Sequence, residues 1–111
     1  MNPVNPWVLL SRMEAAWRET RHHLDLVHRQ IFARAERLAV TEKAKARNRT
    51  HKRSGSRWSR SDEVLFQDHV DRLSFERRGE LDALTRKLER QDRAITTLRL
   101  TLGEAAWRQV A

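Results

Sequence analysis

Residues 47–60 read RNRTHKRSGSRWSR, and the fold turns on how this stretch is taken. Asn48, Thr50, Ser54, Gly55, Ser56 and Ser59 favour turns over helix. The cations among them repel one another and weaken any compact local structure. On the N-terminal side, no Gly or Pro interrupts the chain from Trp7 to Gly55. On the C-terminal side, a second long stretch runs to the end with neither Pro nor a turn cluster. The segment therefore reads as a divider between two helical arms. Its length exceeds the roughly 2–8 residues usual between bundle helices, which marks it as a functional or disordered loop.

The arm before it opens with Asn5 and Pro6, a good N-cap followed by a residue suited to the first helical position. Its apolar series is Leu10, Met13, Trp17, Thr20, Leu24, Val27, Ile31, Arg34, Leu38, in alternating steps of three and four. That is a heptad pattern with two polar exceptions. The arm after the divider starts with Ser61 as a possible cap and with Asp62 and Glu63 in the first turn, which the helix dipole favours. Its series is Phe66, Val70, Leu73, Arg77, Leu81, Leu84, Leu88, Gln91, Ile95, Leu98, Leu102, Ala105. Two successive steps of four meet at Arg77, a stutter where the winding relaxes, and Gly79 lies within it.

These patterns predict an all-α fold: an elongated two-helix antiparallel coiled-coil hairpin with a basic loop, forming one domain over 1–111. The expected boundaries are helix 6–46, basic loop 47–60 and helix 61–110. Leu9, Leu26, Phe32, Leu65, Phe75 and Leu100 lie off the stripes, so the hairpin is expected to dimerise into a helical bundle or to pack on a partner. Leu, Ile, Val and Phe number only 25 of 111 residues, too few for a large globular core.

Charge is concentrated rather than spread. The chain has 23 Lys+Arg against 15 Asp+Glu, a formal net charge of +8. No acid occurs between Glu42 and Asp62, while Lys43, Lys45, Arg47, Arg49, Lys52, Arg53, Arg57 and Arg60 do. Those eight cations equal the whole net charge, and the rest of the chain is balanced. A segment of this kind favours a polyanion, because neutralising phosphates releases condensed counterions whatever the base sequence. Trp58 lies between Arg57 and Arg60, and an exposed indole there would stack on an unpaired base. The plainer reading is a solvated linker whose tryptophan folds back on the helix ends.

Other chemistry is sparse. Cysteine is absent, which removes disulfides, thiolate catalysis and Cys-ligated zinc. His22, His23, Asp25 and His28 do not converge in the spacing of a closed metal site. Ser54-Gly55-Ser56 lacks the pattern of a phosphate-binding loop. Carboxylates interleave with arginines as surface patterning, so no enzyme, cofactor or small-molecule substrate is expected. Met1 to Leu10 has no basic region followed by an apolar run, and no stretch approaches a membrane span. A cytoplasmic protein is the expectation. Anionic membranes would satisfy the same cations, yet both stripes read as packing seams and no lipid-anchor motif appears.

The two-arm layout with a tryptophan at the turn resembles the small Trp-x-Gly helical hairpins exported by type VII secretion. Here Trp58 is followed by Ser59 and Arg60, so the motif glycine is missing. The layout is also similar to coiled-coil stalk proteins of type III export ATPases. Two functional expectations follow. The first is a non-enzymatic helical protein whose loop contacts DNA or RNA, largely through phosphates, with Lys43, Lys45, Arg47, Arg49, Lys52, Arg53, Arg57, Trp58 and Arg60 at the interface. The second is a scaffold, stalk, chaperone or exported hairpin whose loop binds an acidic protein. In both, Trp7, Leu26, Phe32, Phe75 and Trp107 are candidate partner-binding residues, since large apolar side chains and tryptophan above all anchor interfaces.

Overall fold

A computed structural model describes residues 5–50 and 57–110. Among these every regular element is helical: α1 is Pro6–Thr50, α2 is Arg60–Glu76 and α3 is Arg78–Val110. The all-α expectation holds, but the second arm is two helices rather than one. The chain divides into two compact units, one of Met1–Asp25 with Asp82–Ala111 and the other of Leu26–Leu81.

Three boundaries differ from the sequence expectation, each for a local reason. The loop expected over 47–60 is shorter, because α1 continues to Thr50 and α2 begins at Arg60. Arginine is among the better helix formers, and cations in the last turn suit the helix dipole, so Arg47 stays helical. The cap of α2 is Ser59, not Ser61. Ser59 has Asp62 three residues later and forms a reciprocal capping box with it, whereas Ser61 has Val64 there. At the start of α1, Asn5 does cap: its Oδ1 accepts from the Trp7 backbone N–H at 2.9 Å.

The interruption between α2 and α3 is the single residue Arg77, with φ −102° and ψ 15°. Hydrogen bonding nevertheless runs through it. The Arg77 N–H donates to the Leu73 carbonyl at 3.1 Å, and the Leu81 N–H to the Arg77 carbonyl at 3.0 Å. The stutter is therefore resolved as a local unwinding that the backbone hydrogen bonds bridge.

In the unit Leu26–Leu81, α1 and α2 run antiparallel. Lys43 meets Asp62, Phe32 faces Phe66, and Gln30 meets Arg77, so descending numbers on one helix meet ascending numbers on the other. Its buried apolar residues are Val27, Ile31, Ala35 and Ala39 on α1 and Val70 and Leu73 on α2. The α1 seam departs from the heptad stripe after Ile31. Ala35 and Ala39 are buried where the spacing calls for Arg34 and Leu38, and Arg34 is exposed. Turning the helix by one position keeps a guanidinium in water and presents small side chains to the partner helix.

In the other unit, Leu10, Ile95 and Leu102 form the buried cluster, with Met13, Trp17 and Leu98 packed on it. The buried Thr20 hydroxyl satisfies itself by donating to the Ala16 carbonyl at 3.1 Å. Two buried polar atoms of this unit have no partner among the described residues, Trp17 Nε1 and Gln91 Oε1. An unsatisfied buried acceptor costs about 1–3 kcal/mol. Gln91→Leu restores the heptad series and removes that cost. It should raise the midpoint of thermal unfolding by several degrees, at about 4–8 °C per kcal/mol for a domain of this class. A lowered midpoint would mean that Gln91 is hydrogen-bonded in solution.

Candidate nucleic-acid interface

The basic segment begins on α1 and ends on α2. Lys43, Lys45, Arg47 and Arg49 belong to the last turns of α1, and Arg60 is the first residue of α2. Arg57 and Trp58 precede the Ser59 cap. Lys52 and Arg53 lie outside the described residues, as does the side chain of Arg49. Lys45, Arg47, Arg57 and Arg60 are exposed, and among the described residues no hydrogen bond or ion pair engages their side chains.

Lys43 stands apart from them. Its ammonium donates to Asp62 Oδ2 at 2.8 Å and to the Arg57 carbonyl at 2.8 Å. The two side chains are only 22% and 11% exposed, so this is a partly buried clamp rather than a loose surface pair. Asp62 Oδ2 also accepts from the Ser59 backbone N–H at 2.6 Å and from the Ser59 hydroxyl at 2.9 Å. One carboxylate oxygen thus ties the end of α1 to the start of α2, and the Lys43 ammonium holds the chain at the Arg57 carbonyl.

Those bonds set the acidity of Asp62. The hydrogen bond from Lys43, then that from the Ser59 backbone, bring its pKa down from 3.8 to about 2 against the opposing effect of burial. A depressed folded-state pKa means that the folded chain refuses a proton which the unfolded chain accepts. The stabilisation is therefore complete above 3.8 and is lost as pH falls through about 2. Asp62→Asn keeps the shape without the charge. In urea melts, the stability gap between wild type and this variant should narrow across that acidic window and stay constant above it. A gap unchanged by pH would remove the charge of Asp62 from the clamp.

Beside the clamp runs a row of rings. The Trp58 indole N–H donates to Glu63 Oε2 at 2.8 Å, and its ring meets Phe66 edge-on at 6.3 Å between centroids. Phe66 faces Phe32 at 6.3 Å, and Phe32 stacks on His28 at 6.4 Å. Trp58 and Phe32 remain about half exposed. Trp58 is thus anchored by its indole N–H and by its contact with Phe66 while much of its surface faces solvent.

His69 is the other buried polar residue near the clamp. Its Nδ1 lies 3.1 Å from an Arg72 nitrogen. Its Nε2 lies 3.0 Å from Glu42 Oε1, too obliquely for a hydrogen bond.

The candidate partner-binding residues Trp7, Leu26, Phe32, Phe75 and Trp107 are all exposed, Trp107 most of all at 73%. The Arg78 guanidinium lies over the Phe75 ring at 4.0 Å. Trp107 lines an open groove of about 390 Å³ with Leu100 and Gly103. Of the histidine cluster, His28 stacks on Phe32, and Asp25 pairs with Arg21 at 3.6 Å. Among the described residues no group of three or more His, Cys, Asp or Glu side chains is placed to hold a metal ion. No helix there is long and apolar enough to cross a membrane.

The Lys43–Asp62 clamp and the aromatic row are absent from the sequence expectation. The capping-box spacing of Ser59 and Asp62 is a visible signal for one half of the clamp. The other half joins residues nineteen positions apart and depends on the register of the hairpin. No protein-family model matches the chain, nor does any curated protein or solved structure.

Proposed function

We propose that this chain is a non-enzymatic helical interaction protein of the cytoplasm whose basic inter-helix segment contacts nucleic acid largely through phosphates. The observation that carries the reading is the set of exposed cations whose side chains are unengaged among the described residues, Lys45 and Arg47 near the end of α1, Arg60 at the start of α2 and Arg57 just before its cap. The helix dipole favours a cation near the end of α1 by about 0.3–1 kcal/mol, but it does not favour Arg60 at the start of α2. Lys43 is already paired with Asp62, and the run of cations that remains, without one intervening acid, suits a partner of opposite charge. A phosphate backbone supplies that charge at regular spacing. The exposed part of Trp58 adds a surface on which an unpaired base stacks, worth about 1–3 kcal/mol. Contacts of this kind position a strand without reading its sequence.

The test is fluorescence anisotropy with labelled duplex DNA, single-stranded DNA and RNA across a salt series. Wild type is compared with a variant in which Arg47, Arg49, Lys52, Arg53, Arg57 and Arg60 are all Gln. Steep salt dependence lost in the variant supports the reading, and preference among the three ligands names the class. Equal, weak binding by both proteins overturns it.

A second reading is favoured by the exposed rings. Phe75 is 64% exposed and Trp107 73%, as expected of side chains that a second copy or a helical partner covers. Substituting Leu26, Phe32 and Phe75 separates the two. Lost self-association with retained nucleic-acid binding assigns the rings to assembly and the loop to the ligand. Lost function with an expendable loop favours the scaffold.

A further inference from the structure

Two seam positions carry arginine where the heptad pattern calls for an apolar residue, Arg34 on α1 and Arg77 at the junction of α2 and α3. They are far apart in sequence, yet both line a single cleft of about 200 Å³ within the unit Leu26–Leu81. Arg37, Gln30 and Glu76 complete its polar wall, over a floor of Ile31 and Leu73.

We infer that this cleft is a phosphate-binding site, with Arg34, Arg37 and Arg77 as its cationic donors. Three guanidinium groups share the wall with one carboxylate, and that carboxylate is engaged by Arg72 at 3.3 Å. Arg77 is oriented in advance. Its Nε and one terminal nitrogen donate to Glu80 at 3.0 and 2.8 Å, and its other terminal nitrogen donates to Gln30 Oε1 at 3.0 Å. That leaves Arg77 with N–H donors to spare, and the Gln30 amide nitrogen free to donate beside it. The side chains of Arg34 and Arg37 make no hydrogen bond or ion pair among the described residues.

Glu80 answers the charge of Arg77, but Arg34 and Arg37 have no acidic partner among the described residues, and a bound anion relieves their repulsion. A tetrahedral group of charge between about −1.5 and −2, with several acceptor oxygens, answers three forked donors better than a single planar carboxylate does. The apolar floor lowers the local dielectric and strengthens each contact. This inference does not depend on the loop. Its residues are separate from the loop cations.

The probe is inorganic pyrophosphate, titrated at constant ionic strength with chloride as the balancing salt. Nitrogen-15 NMR follows the Gln30 side-chain amide and the Arg77 Nε–H. Saturable shifts at both are expected. Arg34→Gln with Arg37→Gln should weaken the apparent affinity roughly tenfold or more, since each lost bond is to a charged group. Both residues are exposed, and circular dichroism confirms that the variant keeps its helices. The variant with neutralised loop cations should bind pyrophosphate as wild type does. The inference is overturned if shifts grow linearly as they do with chloride alone, if they survive the double substitution, or if they vanish with the loop cations. A final arm adds a short single-stranded oligonucleotide to the pyrophosphate complex. Displacement identifies the phosphate as part of a nucleic-acid backbone, and failure to displace identifies a small free phosphate. If pyrophosphate fails to bind while the oligonucleotide still binds through the loop, this inference falls and the proposed function stands.

Discussion

Ile31→Ala should destabilise the unit Leu26–Leu81 by about 2–5 kcal/mol, the range for deleting a buried aliphatic side chain and leaving part of its cavity open. Ile31 is 2% exposed and is one of the two largest side chains buried this completely among the described residues. Its neighbours along the seam are Val27, Ala35 and Ala39. The alanines have no spare side-chain atoms with which to fill a vacated volume, so collapse is limited and the cost belongs near the upper part of the range. Small domains are stable by only about 5–15 kcal/mol, so one such deletion removes a large share. Urea denaturation followed by far-ultraviolet circular dichroism measures it. Phe75→Ala is the control. Phe75 is mostly exposed, and its loss should cost well under half as much. Equal effects of the two substitutions would mean that the buried seam is not centred on Ile31.

The seam shows what can and cannot be read from residues alone. Val27 and Ile31 are legible because large apolar residues at heptad spacing mark the packed face of a helix. Ala35 and Ala39 are not. Alanine is common on every face of a helix, so its burial leaves little periodic trace. Arg34 and Leu38 keep the spacing, and the spacing misleads. The fold follows the chemistry instead: an arginine without a partner stays at the rim, and the helix presents its alanines. The stutter at Arg77 is visible as two steps of four, but its resolution in one unwound residue is not.

The candidate site divides in the same way. Charge is legible from composition along the chain, because the absence of acids between Glu42 and Asp62 needs no structure to see. Pairing is not, because it depends on register. Lys43 looks equivalent to its neighbours in sequence and is the one held by Asp62. Trp58 reads either as an exposed indole or as one folded back on the helix ends, and the structure bonds it to Glu63 and sets its ring against Phe66. The convergence of Arg34 with Arg77 requires the antiparallel packing of α1 and α2.

That distinction fixes the second large effect. If the six cations replaced by Gln each neutralise one phosphate, they account for a log–log salt slope of about 5 on duplex DNA and about 4 on a single strand. Between about 50 and 200 mM salt, those six contacts should then cost wild type roughly a thousandfold in affinity for duplex and a few hundredfold for a single strand, beyond the few-fold loss it shares with the variant. Single substitutions sharpen this. Arg57→Gln or Lys45→Gln should reduce the slope by about 0.7–0.9, because each side chain is exposed and unengaged. Lys43→Gln removes the same formal charge and should leave the slope nearly unchanged. Its ammonium is already committed to Asp62 and the Arg57 carbonyl, and taking it to a phosphate would strand a carboxylate that is only 11% exposed. Its effect belongs in stability instead, as a lower unfolding midpoint near neutral pH that shrinks in the Asp62→Asn background, where only the bond to the Arg57 carbonyl is left to lose. A Lys43→Gln slope change equal to that of Arg57→Gln would show that the clamp opens on binding and that all eight cations act alike.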